Sequence, residues 1–235
     1  MCTLAWSRAD SGLWVCFNRD EQRTRSLAFA PEIHHGGRYP LLYARDPDGG
    51  GTWFAISGAG YLAAVLNHYP GGGEKVPGLR SRGQLLLELA CHRSPGEAAV
   101  DLESADLSSY APFSLFIISP GMDRRYTWTG TGLQRRDNCE EFWTTSSRDP
   151  ESVIPWRISE WGRLGAPSGL DQAAKRLRMF SENPAYGFTM DRDDARTVSQ
   201  IQLIMEPGRV DFTYCAREPD GPGFGEPVHL SMGIA

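Results

Sequence analysis

Cys2-Thr3-Leu4-Ala5-Trp6-Ser7-Arg8, a turn at Ala9-Asp10-Ser11-Gly12, and Leu13-Trp14-Val15-Cys16-Phe17-Asn18 decide the fold. Both runs are rich in β-forming residues and a turn-type tetrapeptide joins them, so the chain opens as a β-hairpin. A second hairpin follows, Thr52 to Ser57 and Tyr61 to Asn67 around Gly58-Ala59-Gly60, and Gly71-Gly72-Gly73 opens the loop beyond it. Phe113 to Ser119 reads as a buried strand, and Tyr126 to Gly130 with Leu133 to Asp137 as a short hairpin. The last hairpin, Thr197 to Met205 and Val210 to Ala216, turns at Glu206-Pro207-Gly208. Four helices are expected in the middle of the chain. The first spans Gln84 to Cys91. The second starts at Ser94, with Pro95 in its first turn and Glu97 completing a capping box. The third is capped by Asp149, has Pro150 in first position and runs to about Trp161. The fourth spans Asp171 to Phe180. The stretch from Arg19 to Asp48, with His34-His35, reads as loop, and the tail after Glu218 as surface. Strands, then helices, then strands is an α+β pattern of antiparallel hairpins. The terminal hairpins share one sheet only if the helices pack outside it, which predicts a layered sandwich. Nothing reads as a linker or repeat, so residues 1–235 are expected to form a single domain.

Composition narrows the function. The 235 residues are 40% hydrophobic and 23% charged, ordinary soluble-globular values that exclude a disordered, collagenous or coiled-coil chain. No run of about 18 apolar residues is present to form a membrane-spanning helix. A net charge of −5 argues against a nucleic-acid partner. Arginine outnumbers lysine 22 to 2, the lysines being Lys75 and Lys175; a GC-rich genome accounts for it on codon grounds, with surface Arg–carboxylate pairing as the functional alternative. The five cysteines, 2, 16, 91, 139 and 215, contain no CxxC pair, which disfavours zinc. With no secretory leader at the start, they read as reduced thiols in a cytoplasmic protein.

Cys2 carries the sharpest chemistry. A Cys after the initiator Met is a context in which Met1 is generally removed, leaving an α-amine and a thiol on one residue. The amine titrates at about 7.7–8.0 and the thiol at about 8.5. The amine can therefore take the thiol proton and serve as general base for its own nucleophile. On position alone, Cys2 reads as an ordinary small strand residue, since many unrelated chains begin Met-Cys.

The wider pattern resembles one family. Cys2 at the start of a strand, Asn18-Arg19-Asp20-Glu21 at the end of the next, and Gly50-Gly51-Thr52-Trp53 some thirty residues on resemble the NRDE family, also called the transport and Golgi organisation protein 2 family. Arg45-Asp46, Ser81-Arg82-Gly83 and Arg196-Thr197 fit as well. That family in turn looks like the N-terminal nucleophile hydrolases of the choloylglycine hydrolase and penicillin V acylase type. The resemblance implies a four-layer αββα sandwich of two antiparallel sheets with helices outside. It implies Cys2 as nucleophile, Arg19 favouring the thiolate, Asp20 orienting the α-amine and Asn67 donating to the oxyanion. Asn18, Glu21, Trp53, His68 and Tyr69 are then the candidate substrate contacts. Arg and Asp are three apart in the acylases and adjacent here, so Asp20 and Glu21 compete for one role. The acylases also place a second Asn where this chain has Trp143-Thr144-Thr145-Ser146-Ser147.

Two functions follow from the resemblance. One is a cysteine amidohydrolase acting on a linear amide or N-acyl substrate, with no cofactor required. The other is a non-catalytic binding or trafficking protein on the same fold, with haem or a lipid as its ligand near Trp53, His68 and Tyr69. A domain with an accidental Met-Cys start is a third. His34 and His35 read as solvated loop or as ligands to a metal or haem iron. Cys16 and Cys91 are expected to be buried thiols.

Overall fold

The structure is a computed structural model, and it describes residues 2–9, 12–69, 79–218, 221 and 223–235. In chain order the first elements are β1 (Cys2–Ala9), β2 (Gly12–Gln22), β3 (Glu32–His34), β4 (Leu41–Tyr43), β5 (Phe54–Ser57) and β6 (Tyr61–Asn67). Helices α1 (Arg82–Ala90) and α2 (Pro95–Ser104) precede β7 (Phe113–Ser119), β8 (Met122–Trp128), β9 (Leu133–Asp137) and β10 (Phe142–Thr144). The chain ends with α3 (Pro150–Arg163), α4 (Leu170–Leu177), β11 (Ala195–Glu206), β12 (Arg209–Ala216) and β13 (Val228–Gly233). The α+β class with two antiparallel sheets is as expected. The turn residues Asp10 and Ser11 and the loop Gly71-Gly72-Gly73 lie outside the described residues.

The chain forms two compact units. The first comprises Met1–Arg25, Glu140–Glu206 and Val210–Ser231, and the second Ser26–Cys139, Pro207–Arg209 and Met232–Ala235.

The first unit holds a six-stranded sheet in the order β10-β1-β2-β11-β12-β13. The opening and closing hairpins share this sheet through the pairing of β2 with β11. Its register sets Leu4 against Phe17 and Ala5 against Cys16. Alternate residues face opposite sides of the sheet. Ala5, Trp14 and Cys16 therefore share a face, and on it they pack with Phe142 and with Ala173, Ala174 and Leu177 of α4. Leu4, Trp6 and Phe17, on the other face, are also fully buried. A sheet covered on both sides needs near-continuous apolar strands, which is why the opening hairpin does not alternate cleanly. Gly12 permits the hairpin to lie against its neighbour: a Cβ there would stand 2.2 Å from the Met205 carbonyl oxygen.

The second unit holds a seven-stranded sheet in simple sequence order, β3 to β9. Leu85, Leu86 and Leu89 of α1 and Ala98, Ala99 and Leu102 of α2 are the buried faces of its two helices. Gly51 and Gly83 bring two chain segments into backbone contact. A Cβ on Gly51 would meet the Gly83 carbonyl carbon at 2.2 Å, and the Thr52 amide donates to the Gly83 carbonyl at 3.2 Å.

Four strands depart from the sequence reading. Within the expected 19–48 loop, β3 and β4 pair with each other, and β4 pairs with β5. β10 and β13 form at sheet edges, the latter in the tail read as surface. Strands like these, three of them at a sheet edge and β4 between β3 and β5, owe their structure to pairing with a neighbour rather than to their own pattern. Asp149 caps α3 through its backbone only, with φ 47° and no side-chain hydrogen bond to the helix.

Candidate active site

The site starts from register. β1 and β2 place Cys2 directly across from Arg19, so the two side chains share a face. On its other side β1 pairs with β10, Thr3 opposite Thr144. Beyond that pair the ladder changes character. The Thr145 amide donates to the Cys2 carbonyl at 3.0 Å, but the Cys2 amide donates to the Thr145 hydroxyl, Oγ1, at 3.1 Å. Cys2, Arg19 and Thr145 are all buried. Arg19 is held by Glu21 at 3.3 Å, and Glu21 also meets Arg25 at 3.7 Å.

The opposite face of the same hairpin carries a polar network. The Thr197 hydroxyl donates to Asp20 Oδ1 at 2.6 Å and accepts from the Met190 amide at 2.8 Å. Asp20 Oδ2 stands 3.8 Å from the Arg157 guanidinium, both side chains being essentially inaccessible to solvent. Arg157 rises from α3 and also donates to Thr144 Oγ1 at 3.0 Å and to the carbonyls of Ala185 and Tyr186, each at 3.2 Å. Thr144 and Thr3 share a hydrogen bond of 2.9 Å.

Electrostatics hold this thiol protonated. Burial pushes Cys2 up to about 11, and the Asp20 charge adds to the shift; the Asp20 backbone amide and the Arg19 charge act against it. Burial also lowers Arg157, with Arg192 adding to the effect and Asp20 opposing it. The remaining thiols are raised by burial too: Cys16 strongly, Cys139 to about 12 with Asp123 adding, and Cys215 against the charge of Arg178. Cys91, expected to be buried, is exposed at the C-terminal end of α1.

Of the residues singled out in the sequence, Cys2, Arg19, Asp20 and Glu21 gather at the paired ends of β1 and β2. Asn18 is fully buried. Its amide nitrogen donates to the carbonyls of Leu177 at 2.7 Å and Phe188 at 3.0 Å, and its oxygen accepts from Gln200. That is the placement of a strut tying β2 to α4, not of a substrate contact. Trp53, Asn67, His68 and Tyr69 belong to the second unit. Trp53 is buried, and its carbonyl accepts from the Val65 amide at 2.9 Å. Asn67 ends β6 and donates to the Tyr69 hydroxyl at 2.8 Å. Burial lowers the pKa of His68. His34 stacks on Tyr43 at 4.1 Å. Among the described residues no group of three or more His, Cys, Asp or Glu is placed to hold a metal, and no helix is long and apolar enough to cross a membrane.

The sequence reading missed the Arg157–Thr144 contact on one face of the hairpin and the Thr145–Cys2 contact apart from it. Arg157 did leave a signal. It stands four residues after Val153 and four before Trp161, so a charge interrupts the apolar stripe of α3.

The family model described as Transport and Golgi organisation 2 matches residues 1–159. A comparison of the sequence with curated proteins found no match. Solved structures share the fold at low identity. Penicillin V acylase from Agrobacterium tumefaciens aligns at TM-score 0.54 and 14% identity, over 90% of this chain and 82% of that one. The C2A mutant of conjugated bile acid hydrolase from Clostridium perfringens aligns at 0.57 and 13%, over 99% and 92%. The Caenorhabditis elegans ortholog of N-acylethanolamine-hydrolyzing acid amidase aligns at 0.60 and 9%, over 87% and 92%. The chain therefore has the N-terminal nucleophile hydrolase-like fold.

Proposed function

We propose that this chain, which belongs to the Transport and Golgi organisation 2 family, is a cysteine amidohydrolase that cleaves a linear amide bond once Met1 has been removed. The observation that carries the reading is the register of β1 on β2, which seats a buried arginine directly opposite Cys2. The fold shared with acylases and an amidase supports the reaction class.

The chemistry follows from one residue's two groups. Removal of Met1 converts the Cys2 amide nitrogen into a primary amine beside its own thiol. The amine takes the thiol proton, and Arg19 stabilises the thiolate. Sulfur adds to the amide carbonyl carbon, the C–N bond breaks, and the leaving amine departs with that proton. Water then adds to the thioester, the C–S bond breaks, a carboxylic acid leaves and sulfur regains its proton. Before processing, burial raises the thiol to about 11, which leaves it in the less reactive, protonated form at neutral pH.

That protonated thiol also favours a second reading for a chain that keeps Met1: a non-catalytic haem or lipid carrier on the same fold. Intact mass before and after a limiting alkylator, followed by peptide mapping, separates the two. The amidase reading expects a mass lacking Met1 and first labelling at Cys2, ahead of exposed Cys91. It also expects hydrolysis of N-acyl amides that falls on the order of a thousand-fold in Cys2→Ala. A Met1-free protein in which Cys91 labels and Cys2 stays inert overturns it. Haem or acyl-chain binding retained by Cys2→Ala, with no turnover in the parent, replaces it with the carrier.

A further inference from the structure

We infer that the hydroxyl of Thr145 positions the nucleophile's amine. The inference rests on the amidohydrolase reading above and extends it to a residue outside the resemblance.

Three observations carry it. The Cys2 nitrogen donates to Thr145 Oγ1 at 3.1 Å, and that nitrogen is the atom that becomes the α-amine. The contact is built, not incidental. The Thr145 amide is itself fastened to the Cys2 carbonyl at 3.0 Å, so two hydrogen bonds between the same two residues fix the hydroxyl over the nitrogen. Thr145 and Cys2 are both buried, at 4% and 6% exposed, so the contact lies inside the fold rather than on its surface. A regular ladder would offer a carbonyl here. A threonine hydroxyl also accepts, and its β-branch holds it in few rotamers.

The consequence for the chemistry is specific. A hydroxyl that accepts from the nitrogen stabilises the amine most when it is protonated, because hydrogen bonds to charged groups are the stronger ones. The protonated amine is the partner of the reactive thiolate. Thr145 therefore favours the ammonium–thiolate pair over the neutral amine–thiol pair. It does so without touching sulfur, and it leaves the nitrogen lone pair directed away from the hydroxyl to collect the thiol proton.

The neighbouring Thr144 supplies an internal control. Its hydroxyl lies on the other face of β10, bonded to Thr3 at 2.9 Å and Arg157 at 3.0 Å, where it braces strands and touches no reacting atom.

The test uses full-length chain released from a cleavable leader so that Cys2 is the first residue, with iodoacetamide as the limiting probe and labelling read at each cysteine from pH 5 to 10. Thr145→Val is expected to move the midpoint of Cys2 labelling up by about one pH unit and to slow labelling at pH 7 by about tenfold. Thr145→Ser is expected to restore the parent profile, and Thr144→Val to lower thermal stability without moving the midpoint. Should Thr145→Val not fold, Thr145→Ala is read in the same way. A reactive Cys2 whose midpoint is the same in the parent and in Thr145→Val or Thr145→Ala overturns the inference and leaves the amidohydrolase reading in place. A Cys2 inert in the Met1-free parent overturns the amidohydrolase reading, and the assignment of Thr145 with it.

Discussion

The two sheets differ most in what they bury. In the second unit, β5, β6 and β7 bury the apolar runs Phe54-Ala55-Ile56, Leu62-Ala63-Ala64-Val65-Leu66 and Leu115-Phe116-Ile117-Ile118, beside the hydroxyls of Ser57, Tyr61, Ser114 and Ser119 but no charged group. In the first unit the strands bury Thr3, Asn18, Arg19, Asp20, Thr197, Ser199 and Gln200, and the arginines buried among the described residues, Arg19, Arg157, Arg176, Arg192 and Arg217, all belong to it. Apolar burial stabilises at about 25 cal/mol per Å², whereas a buried charge must recover several kcal/mol of lost hydration before it contributes anything. The first sheet therefore gives up stability that the second keeps. Part of that polar interior braces the fold, as the Asn18 strut does, and part of it, Arg19 and Glu21 beside Cys2, gathers at the candidate site.

The contrast breaks first at Arg157. Replacing it by Met removes the guanidinium 3.8 Å from Asp20 and the donors to the Ala185 and Tyr186 carbonyls. Loss of one partner from a buried pair costs about 3–5 kcal/mol. Denaturant unfolding of Arg157→Met should show that loss, and adding Asp20→Asn should recover part of it. If the single variant costs under about 1 kcal/mol, Arg157 is not the keystone of this interior.

Alkaline pH probes the same contrast through thiols. A cysteine ordinarily near 9.0 is pushed to about 11 at Cys2 and about 12 at Cys139, and Cys16 is raised further still. Above pH 9 the unfolded chain releases protons that the folded chain retains. Stability is thus full below pH 9 and falls as pH rises towards the folded values, by about 1.4 kcal/mol per pH unit for each thiol. Cys2→Ala should flatten the fall between pH 9 and 11 by roughly 2–3 kcal/mol in total. A stability curve unchanged by Cys2→Ala over that window would mean that the Cys2 thiol is not buried as described.

What was legible in the sequence divides along the same line. Strands whose residues are apolar by their own pattern, such as Phe113–Ser119, were readable because burial on both faces leaves a continuous hydrophobic run. The ends of β1 and β2 were readable because Cys2 and Asn18-Arg19-Asp20-Glu21 recur together in a family. Arg157 was not, because it reaches Asp20 across 137 residues of chain and only tertiary packing reveals the pair. Thr145 lay in a stretch marked for what it lacked. Only the register of β10 on β1 turns its hydroxyl towards the Cys2 nitrogen. Cys91 was misread because a helix end is half open to solvent even when the helix face is not.

Backbone proximity in the second unit gives the next smaller effect. The Gly50-Gly51-Thr52-Trp53 motif meets Ser81-Arg82-Gly83 with no room for a methyl group: a Cβ on Gly83 would stand 2.7 Å from the Thr52 carbonyl oxygen. Gly51→Ala or Gly83→Ala should each cost about 2 kcal/mol by overpacking. Neither should alter the labelling of Cys2, since the contact belongs wholly to the second unit. A Gly51→Ala variant of parental stability would show that the two segments part easily.

The smallest effect compares helix starts in the two units. In α2, Ser94 Oγ accepts from the Glu97 amide at 3.2 Å, and the Glu97 carboxylate accepts from the Arg93 amide at 3.1 Å, one residue earlier than in a standard capping box. In α3, Asp149 sits at φ 47° and makes no side-chain bond to the helix, although the sequence offers Asp-Pro as plainly as α2 offers Ser-Pro. A side-chain cap that bonds contributes about 1 kcal/mol, and one that does not leaves only its backbone preference. Ser94→Ala should therefore cost about 1 kcal/mol. Asp149→Gly should be neutral or slightly stabilising, because glycine enters the left-handed region without the steric cost a side chain carries. Thermal unfolding of the two variants side by side decides it. An Asp149→Gly loss as large as that of Ser94→Ala would mean that the carboxylate serves α3 after all, through its charge on the first turn rather than through a bond.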